Sequence, residues 1–272
     1  CAAVMAAPFH KMHGLGNDFV VIDARNKPVE MTGPRAHAIA DRRTGIGCDQ
    51  LILLEPSDTA DIRMRIFNAD GGEVEACGNA TRCVATLLGK PARIETKGGI
   101  LETRPQDNSA TVFLNPPAFD WEFIPLAMPM DTMDMPVGWE ELERPMAVNV
   151  GNPHVIFFVP DTDAVDLERL GPIIETDPLF PEKINVNVAS IVDPQNIKLR
   201  VWERGVGLTL ACGTGACATA VAAIRSGRAS SPVTVHLPGG DLRIGWQEGG
   251  PIEMEGAATR VFTGEADWST FG

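Results

Sequence analysis

Hydrophobic residues along the chain fall mainly into short alternating or continuous runs, the spacing of strands rather than of surface helices. "FVVID" (19–23) and "HVIFF" (154–158) are near-continuous, whereas "ADIRMRIF" (60–67) and "QNIKLRVW" (195–202) alternate. Two other runs, "NATRCVATLLG" from Asn79 and "TGACATAVAAI" from Thr214, are rich in Ala, Leu and Thr and predict one helix each. Asn79 or Thr214 offers a cap, and Gly89 or Gly227 a stop. Both helices are apolar on almost every side, so burial inside a wrapped sheet is expected. The Gly-Gly pairs in "IETKGGILET" and "VHLPGGDLRI" predict β-hairpins.

The pattern occurs twice. Cys77 and Cys212 are 135 positions apart, and at that one offset Gly16-Asn17 falls on Gly151-Asn152, Gln50 on Asn185, Asn68 on Glu203, and "EACG" on "LACG". After the helix a six-residue insertion intervenes before Gly98-Gly99 meets Gly239-Gly240. Register held over this length identifies an internal duplication. The expected fold is α+β (mixed α/β), with two pseudo-symmetric domains, each a strand barrel wrapped around a central helix. A Pro- and Met-rich stretch, 115–136, marks the junction. The halves are drawn at 1–118 plus 261–272, carrying Cys77, and at 119–260, carrying Cys212.

Composition narrows the partners. The 272 residues are enough for two cores, and 44% hydrophobic with 22% charged residues describes a globular chain. A net charge of -13 argues against a nucleic-acid partner, and no apolar run approaches the length of a membrane span. The opening "CAAVMAAPFHKMHG" lacks the layout of a secretory signal; its first residues, Cys1 included, read as a processing remnant and Met5 as a native start. Six cysteines are too sparse for a disulfide scaffold, which favours reduced thiols in a cytoplasm. Their spacing, with scattered histidines, also fits no zinc site.

A thiol at the start of a buried helix meets unpaired backbone N–H groups and the positive end of the helix dipole, both of which favour the thiolate. Cys77 and Cys212 both occupy that position, whereas Cys83 and Cys217 lie deeper and are expected to pack. Related halves meeting about a pseudo-two-fold axis would set one thiol on each side of a cleft. That arrangement suits racemisation or epimerisation, with one proton acceptor and one donor on opposite faces of a carbon. A redox disulfide and a non-catalytic amino-acid binder are the competing readings. Free N–H groups at Gly78-Asn79 and Gly213-Thr214 could hold a carboxylate, and chemistry of that kind needs neither metal nor pyridoxal. Asn17, Asn152, Gln50, Asn185, Asn68, Glu203 and the adjacent Arg204 are the natural polar lining. His154, at the head of an apolar strand, reads by itself as a core histidine.

The stretches "KMHGLGNDFVVID", "DRRTGIGCDQ", "FNADGGEVEACGNATRC", "GNPHVIFFV", "KINVNV" and "WERGVGLTLACGTGACA" closely resemble the diaminopimelate epimerase family, in the family's order and over nearly the whole chain. The resemblance implies an amino-acid epimerase without a cofactor, usually a homodimer, that interconverts LL- and meso-diaminopimelate in lysine and peptidoglycan precursor synthesis. It implies Cys77 and Cys212 as acid/base thiols, with His154 and Glu203 setting their protonation. Asn17, Gln50, Asn68, Asn152, Asn185, Glu203 and Arg204 become substrate contacts, Arg204 gripping the distal carboxylate. Leu208 stands where the family commonly has Glu, and Ala80 where it often has Gly.

Overall fold

The computed structural model describes residues 6–75 and 77–271, so Cys1 and Met5 lie outside the described residues. The chain divides into two compact units, one running up to Val112 and resuming at Gly256, the other Phe113–Glu255. The first unit runs β1 (Ala6–Gly14), β2 (Asn17–Asp23), α1 (Gly33–Ala40), β3 (Gln50–Glu55), β4 (Ile62–Asn68), β5 (Glu73–Val74), α2 (Gly78–Leu88), β6 (Ala92–Thr96) and β7 (Gly99–Pro105), and then enters β8 (Ser109–Leu114). The second holds a small hairpin of β9 (Gly138–Trp139) and β10 (Leu142–Glu143), then β11 (Met146–Asn149), β12 (Pro153–Phe158), α3 (Leu167–Glu175), β13 (Asn185–Asp193) and β14 (Asn196–Glu203). It continues through β15 (Gly207–Thr209), α4 (Gly213–Arg225), β16 (Val233–Leu237) and β17 (Gly240–Trp246) into β18 (Ile252–Ala257). The last strand, β19 (Thr259–Asp267), lies antiparallel to β1.

The duplication is kept in strand register. β2 pairs with β3 in parallel, Phe19 opposite Gln50, and β12 with β13 in parallel, His154 opposite Asn185. β3 with β4 and β13 with β14 are antiparallel, while β4 with β6 and β14 with β16 are parallel. Each unit therefore contains two strand-helix-strand crossovers, because parallel neighbours cannot be joined by a tight turn. The two expected Gly-Gly hairpins are present, closing at Thr96 opposite Gly99 and at Leu237 opposite Gly240.

The crossovers include a helix in each unit that periodicity did not reveal. α1 starts at Thr32, whose hydroxyl accepts from Arg35 N, and α3 at Asp166, whose carboxylate accepts from Arg169 N. The run "LILL" in β3 is continuous because both faces are covered. Leu51 and Leu53 pack with Ile39 of α1, whereas Ile52 and Leu54 pack with Cys83 and Val84 of α2. α2 lies against β1, β2, β6 and β7, and α4 against β11 to β14, β16 and β17. From Gly215 to Ala223 every residue of α4 is buried. Among the described residues no helix is long and apolar enough to cross a membrane.

α3 packs so closely on β14 that a Cβ at Gly171 would lie 2.5 Å from the Trp202 ring. Gly171→Ala is expected to destabilise the second unit by about 1–3 kcal/mol through overpacking, read as a lower urea midpoint at unchanged slope.

Candidate active site

In each unit the cysteine lies at a β-to-α turn, where the end of a strand hands the chain to a buried helix. The helix caps fall two residues before the expected Asn79 and Thr214: Cys77 and Cys212 are themselves the N-caps, both with extended backbone. Asn79 and Thr214 lie in the first turn instead. Gly89 ends α2 in the left-handed conformation as expected, whereas Ser226 caps α4 and Gly227 follows with φ of 72°.

In the first unit Cys77 is half-buried, and its Sγ donates to Asn17 Oδ1 at 3.8 Å. Asn79 Nδ2 donates to the same oxygen at 3.3 Å. The orientation of these amides is fixed from both ends. Arg82, fully buried in α2, donates to Asn79 Oδ1 at 2.6 Å, and Asp49 Oδ2 accepts from Asn17 Nδ2 at 3.1 Å. A guanidinium can only donate and a carboxylate can only accept, so neither amide can be turned without breaking a charged contact. Arg42 holds Asp49 in place at 2.7 Å. Gln50 and Asn68 stand opposite each other across β3 and β4, Gln50 Nε2 donating to Asn68 Oδ1 at 2.8 Å. Gln50 Oε1 is buried without a donor among the described residues, a cost that a ligand would relieve.

In the second unit Cys212 is buried and its Sγ accepts from Gly215 N at 3.3 Å, the sulfur doing what a Ser or Asp oxygen does at an ordinary cap. Thr214 Oγ1 lies 3.6 Å away. Contrary to the expectation from helix position, the thiol is pushed well above its usual range. Burial and the neighbouring Glu203 charge outweigh the Gly215 and Thr214 contacts. Glu203 is itself raised by burial, although Thr209 Oγ1 donates to its Oε1 at 2.6 Å and the Cys212 thiol also favours its charged form. Cys212 is therefore a protonated thiol here.

His154 is completely buried. Asn187 Nδ2 donates to Gly215 O and to Thr219 Oγ1, both at 3.0 Å, which leaves Asn187 Oδ1 facing His154 Nδ1 at 3.2 Å and places the ring proton there. Burial pushes His154 down to about 4, with the Arg204 charge adding to the effect, so the ring is neutral near pH 7. Asn152 Oδ1 lies 3.1 Å from Nε2, but a neutral ring with its proton on Nδ1 has only a lone pair there, so the Asn152 amide must turn to present its NH2 instead. Asn185 is occupied by backbone, its Nδ2 donating to Pro153 O at 2.8 Å and its Oδ1 accepting from Arg204 N at 2.9 Å. The Arg204 guanidinium is exposed and donates to Glu182 O at 3.0 Å.

The structure thus joins Asn17, Cys77 and Asn79 in one network, and Asn152, His154, Glu203, Cys212 and Thr214 around another. Gly213 is close-packed: a Cβ there would lie 3.0 Å from Met254 Sδ, and one at Gly215 would lie 3.2 Å from Cys212 Sγ. With Gly215 N–H taken by the sulfur, the groups left for an anion at α4 are those of Gly213 and Thr214. Leu208 is 40% exposed and Ala80 fully buried against the α2 core. Cys83 and Cys217 are buried in packing positions, burial pushing Cys83 up to about 12. Arg82, Asp49, Asn187 and Thr209 were not anticipated. The available signal was polar residues at positions whose periodicity points inward, Arg82 within "NATRCVATLL" and Asn187 two residues after Asn185 in "NVNV".

A family profile described as diaminopimelate epimerase matches residues 9–118 and 146–261. A diaminopimelate epimerase of Sphingopyxis alaskensis is 74% identical over 268 residues, covering 98% of this chain and 100% of the relative. One of Rhizorhabdus wittichii is 71% identical, covering 98% of each. Among solved structures, a PhzF-family phenazine biosynthesis protein of Bacillus anthracis superposes with a TM-score of 0.68 at 17% identity, covering 96% of this chain and 99% of that one. A hydroxyproline epimerase of Agrobacterium vitis gives 0.65 at 15% identity, covering 96% and 91%. These two likenesses establish the shared fold.

The buried neutral His154 sets a pH dependence. An unfolded histidine takes a proton near pH 6.5 and the folded one only near 4, so stability is full above about 6.5 and is lost as pH falls toward 4. Urea unfolding should weaken by up to about 1.4 kcal/mol per pH unit in that window from this residue, and His154→Phe should flatten the slope.

Proposed function

The chain belongs to the diaminopimelate epimerase family, and from that premise we propose that it inverts the α-carbon of diaminopimelate, LL to meso and back, with two thiols and no cofactor. It is an epimerase by kinship; the mechanism is our reading. One thiolate removes the α-proton from one face, and the second thiol delivers a proton to the opposite face. The first sulfur ends as thiol and the second as thiolate, and the substrate keeps its composition. Because Cys212 carries its proton in the state described, Cys212 serves as the acid when Cys77 is the base, and the roles exchange in the reverse direction.

The observation that carries this reading is the repeated cap: each unit sets a cysteine at the N-cap of a buried helix, beside first-turn N–H groups. Those groups, at Gly78-Asn79 and Gly213-Thr214, would hold the carboxylate on which negative charge grows as the α-proton leaves. Asn152, with its NH2 turned to His154, keeps its oxygen for the substrate ammonium, which Asn17 meets by giving up the Cys77 or Asn79 contact that its oxygen accepts. Gln50 and Asn68 serve the distal end, and Arg204 its carboxylate. We place the reaction in lysine and peptidoglycan precursor synthesis, in a cytoplasmic homodimer acting on a small amino acid, with no nucleic-acid or membrane partner.

Incubation of LL-diaminopimelate with reduced protein in D2O, without added pyridoxal or metal, should give α-deuterium and the meso isomer, read by proton NMR. Cys77→Ala and Cys212→Ala should each lower the rate by about 10²–10⁴, the usual contribution of a positioned acid or base. No exchange by the reduced wild-type protein would sink the two-thiol reading.

A further inference from the structure

Glu175, the last residue of α3, is 6% exposed, and the proposed chemistry gives it no part. Both of its carboxylate oxygens are engaged. Oε2 accepts from Trp202 Nε1 at 2.7 Å, Oε1 accepts from Gly205 N at 3.0 Å, and Lys183 Nζ lies 3.8 Å from Oε1. These contacts straddle Glu203 and Arg204, which sit between Trp202 and Gly205 in the turn from β14 to β15. Gly205 is in the left-handed region, with φ of 75°, which turns the chain away from a strand continuation at a conformation glycine adopts readily.

The same turn is gripped from a second side. Asn185 Oδ1 accepts from Arg204 N at 2.9 Å, so the two successive N–H groups of Arg204 and Gly205 are each held by a buried side chain. Close packing adds to the grip, because Gly171 of the same helix lets the Trp202 ring approach. The other half lacks the device. At the repeat offset Glu175 falls on Ala40, Trp202 on Phe67 and Arg204 on Ala69, so the carboxylate clamp goes with the half that carries Arg204.

We infer that Glu175 is a positioning residue for Arg204: it fixes the turn from which the guanidinium meets the distal carboxylate of the substrate, and Asn185 works with it as a backbone clamp. The inference rests on the two-thiol reading above for the identity of the substrate. A carboxylate can accept at both oxygens, whereas an amide offers one acceptor and one donor. Replacing Glu175 by Gln therefore keeps the shape and leaves either Trp202 Nε1 or Gly205 N facing an NH2 group.

The test is Glu175→Gln, with diaminopimelate affinity measured by calorimetry and kcat by the NMR assay. Dissociation constant and KM should both rise about tenfold, the weight of a charge-assisted hydrogen bond, while kcat changes less than about threefold. If this variant does not fold, Glu175→Asp, which keeps the charge but reaches only one donor, carries the same comparison. Unchanged affinity, or a loss confined to kcat, overturns the role for Glu175. Wild-type exchange run in parallel separates the two ideas. A wild-type protein that binds diaminopimelate but does not exchange its α-proton defeats the two-thiol reading, with the affinity comparison still deciding Glu175. One that does not bind diaminopimelate defeats both.

Discussion

A helix buried along its length must have its first backbone N–H groups answered by something other than bulk water, and this requirement organises both halves of the chain. The usual answer is a Ser, Asp or Asn oxygen at the cap. Here the cap is a thiol, in α4 with its sulfur directly accepting from Gly215 N. Sulfur is a weak acceptor, so much of the helix start keeps its capacity to bind an anion. The same few backbone groups that would destabilise an ordinary buried helix become the place where a substrate carboxylate can be held beside a proton-transferring group.

Around that constraint the two halves diverge in charge. The first buries a cation, Arg82, and the second half-buries a carboxylate, Glu203, at positions where the partner half has Cys217 and Asn68. Buried charge is costly unless it is hydrogen-bonded, and each of these reaches polar partners: Arg82 donates to Asn79, which donates in turn to Asn17, and Glu203 accepts from Thr209. In the first of these, Arg82 can only donate and Asp49 can only accept, and together they fix which way the Asn79 and Asn17 amides point. Asn187, anchored by Gly215 O and Thr219, sets the His154 tautomer, and Asn185, anchored by Pro153 O, braces Arg204.

Much of this was legible in the residues. The offset between Cys77 and Cys212 identified the duplication, and the structure repeats it in strand register. The hairpins, the Gly89 stop and the burial of the cysteine-bearing helices followed from local pattern, because turn chemistry and apolar faces are local properties. α1 and α3 escaped notice because each is short and only one face is apolar, so their presence depends on the parallel pairing they bridge. The positions of the caps were misjudged for a related reason: Asn79 and Thr214 have the better capping chemistry, yet the strands deliver the chain so that Cys77 and Cys212 arrive first.

What the sequence by itself determined is which residue types recur and in what register: two thiols at two helix starts, flanked by amides, with the resemblance naming their family. Only the tertiary structure decided their states. The expectation that a helix start favours the thiolate fails at Cys212 because burial and Glu203 act more strongly than the N–H groups, and both arise from packing. His154 turned from a core residue into a neutral partner of Asn152, and Asn185 from a lining residue into a brace, through neighbours 33 and 19 positions away. Periodicity reports which face a side chain takes; protonation and hydrogen-bond direction depend on what the fold brings to that face from elsewhere in the chain.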